Sequence, residues 1–309
     1  MVKRVIVTGG AGFIGSHTAR FLHDNGMQVL ILDNFSTGSV TNLDDYKGAV
    51  YKIDIRDDKD VFHAFREFKP HAVLHLAAQS AITTAWENPQ KDLLINALGT
   101  LNIAMAAKKY GVRMVFSSTS AVYREDRAPR KETWDCSPST PYGISKLACE
   151  GYIRAILPDY VILRYGNVYG PLQQPVGKNQ VIARAFRHFL YGDSFSVDGD
   201  GSQKRDFVYV SDVVRANYLA ILSNKSGTYN VATGKNHSVK STLRIIGELY
   251  GVPEYGWDHT LIADPRGDVG LHARAIRRDL KWQAQVGLKE GLQRTFIWWN
   301  ERDETLYSA

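Results

Sequence analysis

Val5-Ile6-Val7-Thr8-Gly9-Gly10-Ala11-Gly12-Phe13-Ile14-Gly15-Ser16-His17 is the stretch around which the rest of the chain is organised. A short apolar run predicts a strand, a glycine cluster follows, and an amphipathic helical pattern comes next. Gly9, Gly12 and Gly15 form a G-x-x-G-x-x-G set. The backbone must turn sharply out of the strand, approach a diphosphate with no Cβ in the way, and pack the new helix tightly against the strand it has left. The helix then presents free N–H groups and a positive dipole end to phosphates. The plain alternative is a turn that only joins strand to helix.

The next strand argues for the ligand. Val29-Leu30-Ile31-Leu32 ends at Asp33, at the roughly 20-residue distance where a carboxylate reaches an adenosine ribose. Asp33 can accept from both ribose hydroxyls and would repel a 2′-phosphate, so NAD is favoured over NADP.

Strand and helix signals go on alternating. Strands are expected at Val2–Val7, Val29–Leu32, Val50–Ile53, His71–His75, Val112–Phe116 and Tyr160–Leu163. Helices are expected at Gly12–Asn25, Asp60–Phe68, about Asn88 to Tyr110, and Pro141–Ile156. Short apolar strands in repeated βαβ units predict a doubly wound, Rossmann-like parallel sheet, with ligands at the carboxyl ends of its strands. After Gly166 the loops lengthen and Gly and Pro punctuate. We therefore divide the chain into a dinucleotide-binding part, 1–166, and a smaller C-terminal α/β region, 167–309, that caps the substrate. There is no linker composition between them. The second part is expected to be interleaved with the first, with some segments returning to the sheet and a cleft between the two.

Composition narrows the class. The 309 residues are 44% hydrophobic and 23% charged, as in a soluble globular protein. No apolar run approaches the roughly 20 residues of a membrane span. Residues 1–10 read as a strand, so no signal peptide is expected there. Cys136 and Cys149 fit a reducing cytosol and make no metal pattern. The net charge of +6 is carried by scattered residues, without the basic stripe and aromatic platforms of a nucleic-acid binder. An anionic small substrate suits it better.

Two further stretches carry chemistry. In Thr140-Pro141-Tyr142-Gly143-Ile144-Ser145-Lys146, Tyr142 and Lys146 stand four apart and share one helix face. A phenol titrates near about 10, but a neighbouring ammonium favours the phenolate, and a bound nicotinamide cation would add to that. Lys146 can also reach the nicotinamide ribose. In Phe116-Ser117-Ser118-Thr119-Ser120-Ala121-Val122-Tyr123 a strand ends in hydroxyls. One of them can bond the reacting oxygen of a substrate and relay its proton to Tyr142; the others cap a turn.

Together these motifs resemble one family. The glycine turn, Asp33, His75-Leu76-Ala77-Ala78, Tyr142-x-x-x-Lys146, Arg164-Tyr165-Gly166-Asn167-Val168-Tyr169-Gly170-Pro171 and Arg205-Asp206-Phe207-Val208-Tyr209-Val210 are similar to the extended short-chain dehydrogenases/reductases. The likeness is strongest to the nucleotide-sugar 4-epimerases of the UDP-glucose/UDP-galactose type, and it covers almost the whole chain. It implies Tyr142 as general base, Lys146 as its partner and Thr119 as the hydroxyl residue. It implies NAD held by Gly9, Gly12, Phe13, Ile14, Gly15, Asp33, Asn34, Asp54, Ile55, Leu76, Ala77, Ala78, Asn96, Tyr142, Lys146 and Tyr165. Substrate contacts would come from Thr119, Asn167, Arg205 and Arg266, the arginines gripping the diphosphate. Forked guanidinium donors are what a dianionic diphosphate asks for.

The implied reaction is oxidation of a UDP-hexose at C4, rotation of the 4-keto sugar about its phosphate link, and return of the hydride to the other face, with NAD regenerated. The sequence also departs from the family. Related 4,6-dehydratases carry an acidic pair directly after the triad Thr; here Ser120 and Ala121 stand there, which argues against water elimination. Arg124 replaces the usual Gly after Val-Tyr and is read as covering the loop. His272 falls near a pocket-rim position that limits the sugar C2 substituent. Residues 78–84 are faintly similar to CDP-sugar 2-epimerases. UDP-glucuronate 4-epimerase, a decarboxylase and a non-catalytic NAD-binding protein stay open as alternatives. Relatives pair through two helices, so a homodimer through 89–110 and 141–156 is expected, with Leu94, Leu98, Leu101, Met105, Leu147 and Ile153 as its apolar faces. Packing of those faces on the sheet is the alternative.

Overall fold

A computed structural model describes residues 2–124, 128–175, 180–252, 258–260 and 267–301. Seven strands form one parallel sheet. Six of them are β1 Arg4–Thr8, β2 Gln28–Asp33, β3 Ala49–Lys52, β4 Ala72–His75, β5 Arg113–Thr119 and β6 Tyr160–Tyr165. The seventh, Gly227–Val231, pairs in parallel with β6. From that edge the order runs Gly227–Val231, β6, β5, β4, β1, β2, β3. The chain moves outward from β1 through β2 to β3 and then returns to start β4 on the other side of β1. The order reverses between β1 and β4, and at such a point the carboxyl ends of the strands leave a crevice for a ligand.

Both faces of the sheet are covered, which is why its strands read as continuous apolar runs. Val5, Val7, Leu74, Val115 and Leu163 face α1 (Phe13–Asp24) and the helix Val210–Leu222. Ile6, Leu30, Val73, Met114, Phe116 and Ile162 face the opposite layer, which includes Gly99–Tyr110 and Pro141–Ile156. A third core, with Ile182, Phe186, Phe207, Ile246 and Trp299, holds the later part of the chain.

Three differences from expectation bear on the site and on pairing. β5 runs on to Thr119 rather than stopping near Phe116, because its hydroxyl residues still pair with β6, with Thr119 opposite Tyr165. The helix expected over 88–110 is in three pieces: Pro89–Leu93, a wide π turn Leu94–Leu98, and Gly99–Tyr110. Such turns recur at functional sites; this one turns Asn96 inward. Ile153 is fully buried in the sheet core and is not part of an outward face, and Leu101 and Leu147 are half-buried. The exposed apolar residues of the two helical stretches are Leu93, Leu94, Leu98 and Met105, joined by Ile144 and Tyr152.

Candidate active site

The glycine turn is built as its spacing requires. Gly9 has φ +68°, and a Cβ there would lie 2.6 Å from the Ala77 backbone nitrogen, across the crevice between β1 and β4. A Cβ on Gly15 would lie 2.0 Å from the Gly9 carbonyl oxygen, so α1 can rest on the turn only with glycine at that point. Gly12 is the N-cap of α1; no side chain caps this end and its first turn holds no acid. A helix start so arranged offers its first N–H groups to an external anion.

Asp33 ends β2 almost buried. Its Oδ2 accepts from the Ala11 N–H at 2.9 Å and its Oδ1 from the Phe35 N–H at 2.8 Å. These bonds hold the carboxylate beside the glycine turn, and each oxygen keeps a second lone pair for a ligand hydroxyl. Asn34 donates to Asp54 Oδ2 at 3.0 Å, and Arg56 grips the same carboxylate through Nε and a terminal nitrogen at 2.9 and 2.7 Å. Arg56 therefore holds Asp54 far below the usual carboxylate range. Ile55 is buried against Gly99, and its carbonyl accepts from Asn102. Leu76 and Ala77 begin the loop after β4. Their N–H groups both reach Thr8 Oγ1 at 3.2 Å, and Ala78 follows them.

The reacting end of the crevice is a cavity of about 250 Å³. Phe13, Ile14, Thr119, Tyr142, Tyr165 and Asn167 line it, with Ser80, Ser120, Ala121, Gln173, Gln180 and Val269. Tyr142 and Thr119 stand together on the wall of this cavity, where the Thr119 hydroxyl favours the ionised form of the Tyr142 phenol. Thr119 is placed by the end of β5, where its Oγ1 also accepts from the Ala121 N–H. Tyr142 is placed by the helix Pro141–Ile156, which starts cleanly because Thr140 accepts from the Gly143 N–H and proline occupies its first turn.

Lys146, one turn on, is almost fully buried, and its ammonium stands over the Phe116 ring at 4.2 Å from the centroid. Burial lowers its pKa to about 8, against the opposing pull of Cys149, Glu150 and Asp92. Burial pushes the Tyr142 phenol up, the Thr119 bond pulls it down, and Asp92 and Cys149 raise it further. The sequence expectation that Lys146 favours the phenolate is thus not met by the protein groups acting on Tyr142, because desolvation outweighs the favourable contact. A cation bound in the cavity is what would reverse that balance.

Other predicted residues have structural partners. Tyr165 turns its ring to the cavity, but its hydroxyl donates to Asn217 Oδ1 at 2.6 Å, away from any ligand. Asn96 is buried. Its amide nitrogen donates to Gln79 O, Asp92 Oδ1 and Ser145 Oγ, and its Oδ1 accepts from the Gln79 N–H. It ties the loop after β4 to the helix Pro141–Ile156. Asn167 lines the cavity and its N–H bonds the Asp206 carbonyl at 2.8 Å. Arg205 is buried and donates to the carbonyls of Lys204 and Gly267. Arg266 lies outside the described residues. The Arg124 carbonyl accepts from Arg130 Nε at 3.0 Å, and the His272 N–H donates to Arg130 O at 2.9 Å, so their backbones knit the loop around Arg130. Sequence reasoning missed Glu150, Ser118 and Asn217, which buttress the site. The even spacing of Tyr142, Lys146 and Glu150 along one helix face was a signal for the first of these.

The glycine turn with Asp33 on one side of the crevice, and Thr119, Tyr142 and Lys146 on the other, are the features of the extended short-chain dehydrogenase/reductase class. Residues 5–232 match the NAD dependent epimerase/dehydratase family. A UDP-glucose 4-epimerase of Mycolicibacterium smegmatis is 35% identical over 97% of this chain and 100% of its own. The crystal structure of Thermotoga maritima UDP-glucose 4-epimerase with UDP-glucose is 34% identical and superposes with a TM-score of 0.91 over 96% of this chain and 99% of that one. The Thermus thermophilus UDP-glucose 4-epimerase complex with NAD is 36% identical, with a TM-score of 0.89 over 97% and 100%. This chain belongs to the NAD dependent epimerase/dehydratase family. It is a UDP-glucose 4-epimerase-like enzyme whose cofactor is NAD. The glycine cradle, the uncapped start of α1 and the fixed Asp33 carboxylate fit that cofactor. Among the described residues no helix is long and apolar enough to cross a membrane, and no His/Cys/Asp/Glu group has the arrangement of a metal site.

Proposed function

We propose that this enzyme inverts C4 of a UDP-hexose, with the UDP-glucose/UDP-galactose pair preferred. The observation that carries the reading is the Thr119–Tyr142 hydroxyl pair on the cavity wall, followed by Ser120 and Ala121 where water elimination would need an acid and a base. Tyr142 takes the proton from the sugar O4, directly or through Thr119, and returns it to the inverted oxygen. Lys146 holds positive charge one turn away. NAD, when bound, supplies the hydride acceptor and donor. Gly9, Gly12, Gly15 and Asp33 would hold its diphosphate and adenosine ribose. Asn34, Asp54, Ile55, Leu76, Ala77 and Ala78 would surround the rest of the dinucleotide. Asn167, Arg205 and Arg266 are the proposed contacts of the UDP diphosphate, Arg205 after release from the Gly267 carbonyl.

In this reading 1–166 binds the cofactor and 167–309 mainly the sugar nucleotide. The two free cysteines, Cys136 and Cys149, are in keeping with a cytoplasmic enzyme. Leu94, Leu98, Met105, Ile144 and Tyr152 form the face on which a second copy would pair.

The test uses purified protein with no NAD added. It is incubated with UDP-galactose, UDP-N-acetylgalactosamine and UDP-galacturonate while the anomeric protons are followed by NMR. Appearance of a C4 epimer supports the reading and names the sugar. No conversion after NAD is supplied overturns it. Net accumulation of reduced cofactor points instead to a decarboxylase or reductase.

A further inference from the structure

Behind the cavity wall sits one carboxylate that touches every element carrying the catalytic group. Glu150 is fully buried. It lies one helical turn beyond Lys146, as Lys146 lies one turn beyond Tyr142. Its Oε1 accepts from Ser118 Oγ at 2.5 Å and from Arg164 Nε at 2.9 Å. Its Oε2 accepts from terminal nitrogens of Arg164 and Arg154, each at 2.6 Å. Ser118 is the β5 residue immediately before Thr119. Arg164 is the β6 residue immediately before Tyr165, and its guanidinium also stands 4.7 Å from the Tyr123 ring centroid. One side chain thereby ties the helix of Tyr142 and Lys146 to the residues flanking Thr119 and Tyr165.

We propose that Glu150 is a positioning residue that sets the spacing of Thr119, Tyr142 and Lys146, its negative charge one turn away adding to the support of the Lys146 ammonium. The inference rests on the catalytic assignment of those three residues, though part of its test does not.

Two physical arguments support it. A buried ion cluster is a poor way to gain stability, because desolvation offsets its attraction and well-packed apolar residues often do as well. What such a cluster does supply is geometry: a bidentate guanidinium–carboxylate pair fixes distance and plane together. The second argument concerns charge. The groups acting on Lys146 are Cys149 and Glu150 from its own helix and Asp92 from Pro89–Leu93, with the neutral His75 and the Phe116 ring on the sheet side. Around Glu150 the groups are Arg154 on its own helix, Arg164 and Ser118 on the sheet, and Cys136 from the loop, with the Tyr123 ring beyond Arg164. Burial pushes the Glu150 carboxyl up, but the Arg164 bonds, Ser118 and Arg154 outweigh it and leave it below the ordinary value. Glu150 is therefore a permanent negative charge at neutral pH, one turn from Lys146.

The test is Glu150→Gln in the full chain, which keeps the shape and one acceptor oxygen. The first readout is a 15N-lysine NMR titration of the Lys146 ammonium, assigned with Lys146→Arg; it needs no substrate and holds whichever sugar is used. The midpoint is expected to fall by at least half a pH unit. The second readout is turnover, where kcat is expected to drop at least tenfold and KM to stay within about threefold. Ser118→Ala, which removes one bond and no charge, is expected to lower kcat a few-fold with the Lys146 midpoint unmoved, and it serves if Glu150→Gln fails to fold. An unmoved midpoint with kcat within twofold of wild type in Glu150→Gln overturns the proposal, as does an unchanged kcat in Ser118→Ala. If wild type turns over no UDP-sugar, the functional reading fails while the Lys146 midpoint still decides the electrostatic half.

Discussion

The Lys146 ammonium lies against the face of the Phe116 ring, 4.2 Å from its centroid, with no carboxylate in salt-bridge contact among the described residues. Phe116 in turn stacks on His75, which burial, with help from Lys146, keeps neutral down to about pH 3. The Lys146 ammonium is thus supported by an aromatic face and by acids at one remove. That choice keeps its pKa within reach of neutrality.

A pH dependence follows from this placement. Lys146 is charged below about pH 8 and neutral above it. Activity is therefore expected to fall as pH rises through 8, and Lys146→Arg, if it supports turnover, is expected to move that limb upward. The sign on stability is opposite. With a folded pKa of about 8 and an ordinary value of 10.5, the unfolded chain holds the extra proton between the two, so this residue's contribution becomes more favourable across that window. A pH–rate profile paired with urea melts checks both.

Tyr142→Phe keeps the ring and removes the hydroxyl that stands beside Thr119 on the cavity wall. The expected loss in kcat is about 10²–10⁴-fold, the usual span for removing a general acid/base. Cofactor content, read by absorbance after denaturation, is expected to stay close to wild type. Loss of cofactor in parallel with activity would reassign Tyr142 to binding alone.

Gly15→Ala and Gly12→Ala are expected to fail differently. At Gly15 the new Cβ would stand 2.0 Å from the Gly9 carbonyl, and at Gly12 its only close neighbour is that same oxygen at 3.2 Å. Forcing α1 off the turn should cost about 3 kcal/mol or more. Gly12→Ala is expected to fold normally and to bind NAD at least tenfold more weakly. Urea melts and calorimetric titration with NAD separate the two effects.

Leu98 is 39% exposed and Ile144 55%, on neighbouring helices that carry Leu94, Met105 and Tyr152 alongside them. Leu98→Glu is expected to convert a dimer to a monomer with the melt little changed. Light scattering across a concentration series is the check, and a wild-type monomer at every concentration would retire the pairing.

Much of the architecture was legible because local physics and tertiary need coincide. The glycines of the first turn, the apolar strand runs and the Thr140-Pro141 helix start each specify their element without help from distant residues. What stayed hidden depends on partners far along the chain. The strand was expected to stop at Phe116, yet Ser117, Ser118 and Thr119 continue it by pairing with β6. The inward turn at Asn96 is anchored by Gln79 and Ser145, which no periodicity in 88–110 reports. Tyr165 lines the cavity, but the direction of its hydroxyl is decided by Asn217 on a helix from the later half. The role of Glu150 needed β5, β6 and its own helix to be seen side by side.

The strand Gly227–Val231 has a consequence for anyone who would trade parts between enzymes of this kind. It belongs by position to the half proposed to hold the substrate, yet it closes one edge of the seven-stranded sheet against β6. A transplant taken from residue 167 onward carries away an edge strand and exposes the backbone of β6 along its length, an invitation to misassembly. Exchanging sugar preference between relatives would therefore mean splicing at two seams, leaving Val210–Leu222 and Gly227–Val231 with their original host. The second half of this protein is not a detachable module.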